Sequence, residues 1–346
     1  MHSTQSRKDA KFLAFLFVFY FACKSHGAHD PVWKIRLEGR TYADLLVDRA
    51  TFFAFSQAGE IIAAGVNEGK KIWSRKIDDA IVSTPYLYKD ALYVATQNGT
   101  VMRLRRENGA IEWQRPLNQT IIAPLNANDR LLVVPSETGS LYTLDPRDGK
   151  EIWHLSGFRK FSAAPILIGN RILIGTWDRR FLCLKDDGAI DWSFQMPDIV
   201  AEGAVTLKDR LFVSAYDHYV YALQIQTGKL MWRFPANRPS NLVLLSRSPA
   251  GEALVFASGT HLVLVSPTSG KQLRRLKFGK VISRIYSQKS DLYVIADNVY
   301  RVDPAKAKIS VAIDAPNPIY KLSFATGMNL AIDDIYSIYG YAPVQD

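Results

Sequence analysis

The pattern Gly-x-x-x-Trp occurs five times in this chain at a nearly fixed interval. Gly69 stands with Trp73, Gly109 with Trp113, Gly149 with Trp153, Gly188 with Trp192 and Gly228 with Trp232, so the tryptophans are 40, 40, 39 and 40 residues apart. Trp33 lies 40 residues before Trp73 and carries the register back toward the start. Forward, Gly270 keeps the glycine while Arg274 takes the tryptophan position. Asp303-Pro304 through Ala307 to Val311 aligns with Asp145-Pro146 through Gly149 to Trp153. A period in this range means that one supersecondary unit is repeated and buries its apolar face against its neighbours.

Each unit reads as β-structure. The third shows Ile121 to Leu125, Leu131 to Val134, Ser140 to Leu144 and Lys150 to Trp153, short runs separated by turn residues. Four strands per forty residues with no helical period describe a propeller blade. The repeated glycine is expected in a turn with positive φ. The tryptophans Trp33, Trp73, Trp113, Trp153, Trp192 and Trp232 are expected on the outermost strands, largely buried between blades. Inner three-strand sets are expected to begin near Tyr42, Ile81, Ile121, Phe161, Val200, Leu242, Val281 and Ile319, which makes eight. The first outer strand has no inner set before it and the last inner set has no outer strand after it. The fold expected is therefore all-β: one eight-bladed β-propeller of four-stranded antiparallel blades over residues 23–346. It is closed by the N-terminal strand at Trp33 pairing with the C-terminal blade.

The first residues stand apart. Arg7, Lys8 and Lys11 precede an unbroken apolar run from Phe12 to Ala22, followed by Cys23. The run is too short for a spanning helix and reads as a secretory signal over residues 1–22. Cleavage after Ala22 would leave Cys23 as the N-terminus, a candidate for lipidation; cleavage near Gly27 would discard it. Either way the protein is expected to be exported. Its two cysteines, Cys23 and Cys183, exclude a disulfide scaffold and a four-ligand zinc site. The six histidines show no ligand spacing, so no metal and no cofactor is expected. A net charge of +10 favours anionic surfaces, but without a basic block it does not indicate a nucleic-acid partner. Cys183, within Phe181 to Leu184, is expected to be a small buried apolar residue.

The Gly-Lys-x-x-Trp turns, the strand ends Thr143-Leu144-Asp145 and Ala222-Leu223, and the inner segments Ser83-Thr84-Pro85 and Ser162-Ala163-Ala164-Pro165 resemble pyrroloquinoline-quinone-type propeller repeats. WD40 repeats differ, since their Trp-Asp closes the third strand and the one such dipeptide here is Trp177-Asp178. Among proteins of this size the chain resembles the BamB-like family, the exported propeller lipoproteins of the bacterial β-barrel assembly machinery. That resemblance covers essentially the whole exported chain. It implies a non-catalytic envelope scaffold in the bacterial periplasm, held at the outer membrane only through a lipid anchor, with envelope proteins such as a β-barrel assembly protein as partners. In that family a Leu- and Arg-containing loop after a Trp strand contacts the partner. The matching stretch here, Met196 to Gly203, carries Ile and Val but no Arg. An exported propeller that binds another protein or a small ligand stays open as an alternative. A quinoprotein dehydrogenase would require a vicinal cysteine pair, a calcium site and long blade decorations. Cys23 and Cys183 are not vicinal, and blades of forty residues leave no room for a cofactor cap.

Strand parity places the interblade loops and the turns between second and third strands on one axial face. Arg159, Lys160, Arg179, Arg180, Arg238 and Lys280 fall on its basic part, and Asp297, Asp314, Asp333, Asp334, Glu60, Asp78 and Asp79 on its acidic part. Trp177 is the one tryptophan off the forty-residue ladder, and Arg179-Arg180 stand where other blades carry Asn98-Gly99 or Thr138-Gly139. Trp and Arg are enriched at binding hot spots. Trp177, Arg179 and Arg180, with Tyr216 and His218 in the corresponding turn of the next blade, are therefore the candidate protein-binding residues.

Overall fold

The computed structural model describes residues 30–161, 163–237, 242–248, 251–288, 291–313, 317–333 and 336–343; for 201–203 and 243–248 only the backbone is described. Residues 1–22, Cys23, Arg238, Asp314 and Asp334 lie outside the described residues. The architecture is eight four-stranded antiparallel sheets arranged as a β-propeller. In chain order the blades span 46–76, 86–116, 126–155, 166–195, 200–235, 243–277 and 284–313, and the eighth combines 319–341 with the strand Trp33–Arg36. In that last blade Trp33 lies opposite Gly340 and Arg36 opposite Ser337, so the N-terminal strand is its outer edge.

The inner strands of blades 1 to 4 begin about five residues later than the apolar runs imply, at Leu46, Tyr86, Asn126 and Ile166. Ile81, Ile121 and Phe161 are fully buried but belong to interblade loops, not strands. Pro85, Pro124 and Pro165 stand between those runs and the first ladder bonds, and proline supplies no N–H to a ladder. The loop is instead held by side chains: Ser83 is buried and donates from Oγ to the Ala95 carbonyl (3.2 Å).

Cores form between blades rather than within them. One cluster joins Trp33, Ile35 and Leu330 of the eighth blade to Phe52, Ala54 and Ile62 of the first, and the Trp33 and Phe52 rings stack with centroids 5.4 Å apart. The repeat motif makes these joints specific. Each ladder indole lies on the glycine of the next blade: a Cβ at Gly69, Gly109, Gly149, Gly228 or Gly270 would stand 2.5–2.7 Å from the ring of Trp33, Trp73, Trp113, Trp192 or Trp232. Each indole N–H also crosses the joint, as from Trp73 to the Arg106 carbonyl (2.9 Å) and from Trp153 to the Asp186 carbonyl (2.7 Å). The glycines have positive φ as well, +64° at Gly69 and +71° at Gly149. Glycine is therefore demanded twice, by backbone conformation and by contact. Trp33 is 8% exposed, but the other five ladder tryptophans, also on outermost strands, are half-buried rather than largely buried.

Candidate protein-binding face

On the axial face carrying the interblade loops, each turn between second and third strands is tied to the loop that precedes its blade. The backbone N–H groups of Gln57, Gln97, Glu137, Trp177 and Tyr216 donate to the carbonyls of Arg40, Ala80, Thr120, Lys160 and Ile199. Trp177 and Tyr216 thus hold equivalent positions on blades 4 and 5, where blades 1 to 3 have Gln or Glu. Side chains nineteen residues apart reinforce the tie: Asn98 N–H donates to Asp79 (3.1 Å) and Arg159 N–H to Asp178 (2.9 Å).

Thr176 N–H bonds the Arg180 carbonyl as Thr96 N–H bonds that of Thr100. This register sets Asp178-Arg179, not Arg179-Arg180, opposite Asn98-Gly99. Arg180 opens the third strand, 3.7 Å from Asp178, with its guanidinium 5.5 Å from the Phe158 ring centroid. Arg179 alone occupies the glycine position, at φ +61°, and His218 does so on the next blade at φ +69°. A side chain there costs about 1–2 kcal/mol relative to a right-handed conformation. At Gly99 and Gly139 a Cβ would lie 2.2 and 1.7 Å from the carbonyl oxygens of Gln119 and Phe158. Blade 4 accommodates Arg179 by exposing it, with Nη1 3.4 Å from the Pro197 carbonyl.

Trp177 is half-buried beneath Lys160, whose Nζ is 4.6 Å from the ring centroid and 2.6 Å from Glu137. Tyr216 is 57% exposed, among the most exposed large apolar side chains of the protein. Between Tyr216 and His218, Asp217 accepts the Tyr219 N–H (3.1 Å) and the Tyr221 hydroxyl. Burial, then that bond, pushes the Tyr221 hydroxyl up. The five candidate residues therefore fall on one face of two adjacent blades. Phe158 and Glu137 also support them.

The electrical polarisation is weaker than the sequence implies. Asp333 is fully buried, accepting from Ser337 N–H (2.8 Å) and the Tyr339 hydroxyl (2.7 Å), and Glu60 is 7% exposed and accepts the Glu38 N–H. Those carboxylates satisfy buried donors rather than face a partner. In the stretch from Met196, Met196 and Val200 are buried in the joint of blades 4 and 5 with Leu173 and Phe181. These two apolar residues thus turn inward, and Arg179 reaches the stretch at the Pro197 carbonyl.

A family profile described as "Outer membrane protein assembly factor BamB" matches residues 27–156 and 137–318. The chain belongs to the BamB family. The outer membrane protein assembly factor BamB of Burkholderia pseudomallei is 22% identical over 171 residues, covering 47% of this chain and 45% of the relative. The chain thus spans about half the length of that curated relative. A crystal structure of BamB from Moraxella catarrhalis superposes with a TM-score of 0.76 at 16% identity, covering 92% of this chain and 99% of that one, which shows the shared fold. A polyvinylalcohol dehydrogenase of Sphingopyxis is 34% identical over only 90 residues, 24% of this chain and 14% of that enzyme. The family profile reaches from residue 27 to residue 318, across most of the ring. The dehydrogenase match reaches about two blades.

Proposed function

We propose that this protein is a non-catalytic scaffold for outer-membrane protein assembly, exported and anchored at the periplasmic side of the outer membrane through Cys23 after removal of residues 1–22. It binds a protein partner through Trp177, Arg179, Arg180, Tyr216 and His218. Family membership supports the assembly role. The observation that carries the site is Arg179: a long charged side chain held at φ +61°, where three other blades use glycine at +80° to +91°. Local stability favours glycine at such a turn, so a retained arginine beside exposed Tyr216 fits a surface shaped for binding. Replacing Trp177, Arg179 and Arg180 by alanine should leave the circular dichroism spectrum unchanged and weaken partner recovery from the native envelope at least about tenfold, or about 1.4 kcal/mol. Full recovery by a folded triple variant would move the binding surface elsewhere.

A further inference from the structure

The outer strands of blades 6 and 7 are the part of the rim where the tryptophan ladder stops. Arg274 occupies the ladder position opposite Leu264, and Val311 occupies it opposite Tyr300. From Lys271 to Lys277 the chain carries four basic residues and no acidic one. Lys271, Arg275 and Lys277 are exposed, as are Lys306 and Lys308 on the neighbouring blade. On other blades some rim cations have carboxylates close by: Lys76 pairs with Glu38 (2.8 Å), Arg105 with Glu112 (3.1 Å) and Arg171 with Asp191 (2.9 Å). On blade 7 Arg301, one strand in, pairs with Asp291 at 3.0 Å and Lys306 reaches Asp303 only at 3.9 Å, while among the described residues Lys271, Arg275, Lys277 and Lys308 take part in no ion pair. The field is felt one strand inward, where His261 lies opposite Lys277. Burial, then Arg275 and Lys277, hold that imidazole below its ordinary value.

We propose that the rim of blades 6 and 7 is a docking surface for the anionic phospholipid headgroups of a bilayer, with Lys271, Arg275, Lys277 and Lys308 as its main contacts. An extended strand from Lys271 to Lys277 spreads its charges over about 20 Å, which suits an array of phosphates rather than one compact anion. Leu273, Ile309 and Val311, 37%, 36% and 38% exposed, lie among these cations. Long basic side chains around apolar ones are the pattern of an interfacial surface, where charge meets headgroups and apolar groups meet the acyl boundary. The start of the chain agrees with this. Cys23, the proposed anchor, precedes the strand Trp33–Arg36, which is the outer edge of the eighth blade, next to blade 7.

The test is co-sedimentation of the full chain with phosphatidylcholine vesicles, with and without phosphatidylglycerol. The combined variant Lys271→Gln, Arg275→Gln, Lys277→Gln, Lys308→Gln is compared with a control that removes the same charge elsewhere, Lys70→Gln, Lys71→Gln, Lys150→Gln, Lys229→Gln. The apolar run contributes equally to all three proteins, so the gain on adding phosphatidylglycerol is the quantity read. That gain should fall at least about tenfold in the rim variant, persist in the control and shrink with salt. The alanine variant at Trp177, Arg179 and Arg180 should keep it, which separates this surface from the proposed partner site. An undiminished gain in the rim variant, an equal loss in the control, or binding of duplex DNA or an acidic protein without any vesicle gain would each overturn the proposal.

Discussion

The indole of Trp192 lies on Gly228 of the following blade so closely that a Cβ there would stand 2.5 Å from the ring, while its N–H donates to the Ile225 carbonyl at 2.8 Å. The two residues belong to successive copies of the same motif, so each Gly-x-x-x-Trp receives one tryptophan and delivers the next. The rule holds where the ladder fails: Arg274 replaces a tryptophan, and the receiving position on the next blade is Ala307, still at φ +56°. Without an indole to receive, the glycine is no longer required for contact.

Gly228→Ala combines a left-handed alanine at φ +68° with a clash against a packed ring. It should lower stability by about 2–4 kcal/mol, read from the denaturant midpoint. An unchanged midpoint would mean that the joint can relax around a methyl group.

Ala307→Gly tests the converse. The left-handed strain it relieves is similar in size to the unfolded-state entropy it adds, so stability should change by less than about 1 kcal/mol. A loss as large as that of Gly228→Ala would show that Ala307 also packs against its neighbour.

Trp153→Ala removes a half-buried ring and its bond to the Asp186 carbonyl. The expected cost is about 2–4 kcal/mol, toward the low end of large aromatic truncations because one flank is already solvated. Thermal melting of the purified variant reads it directly.

Cys183 is fully buried opposite Trp192, and burial raises its thiol to about 11 despite the opposing influence of Arg171. In a Cys23→Ser background it should resist an aromatic disulfide reagent at neutral pH and react at once in denaturant. Rapid labelling of the native protein would place the thiol at the surface.

His261 should titrate below the ordinary histidine range, because burial and the nearby Arg275 and Lys277 disfavour the charged ring. Lys277→Gln should move its midpoint upward, followed by proton NMR of the imidazole. No movement would leave burial and Arg275 as the causes.

The repeat itself was legible because it is written in residues that must recur. A tryptophan that bridges blades and a glycine that receives it cannot drift independently, so the period, the four-strand unit and the eight-blade count all follow from local chemistry. The start of the inner strands was not legible. Ile81, Ile121 and Phe161 are as apolar as any strand residue, yet the prolines after them deny the ladder an N–H, and the runs become buried loops. At the candidate face the sequence marked Trp177 and the two arginines as exceptional. Only the assembled ring decided that Arg179 takes the strained glycine position while Arg180 turns to Phe158, and that Asp333 and Glu60 face inward. Whether a polar side chain bonds a neighbouring blade or meets water depends on groups brought beside it by closure of the ring, and no spacing along one chain encodes that directly.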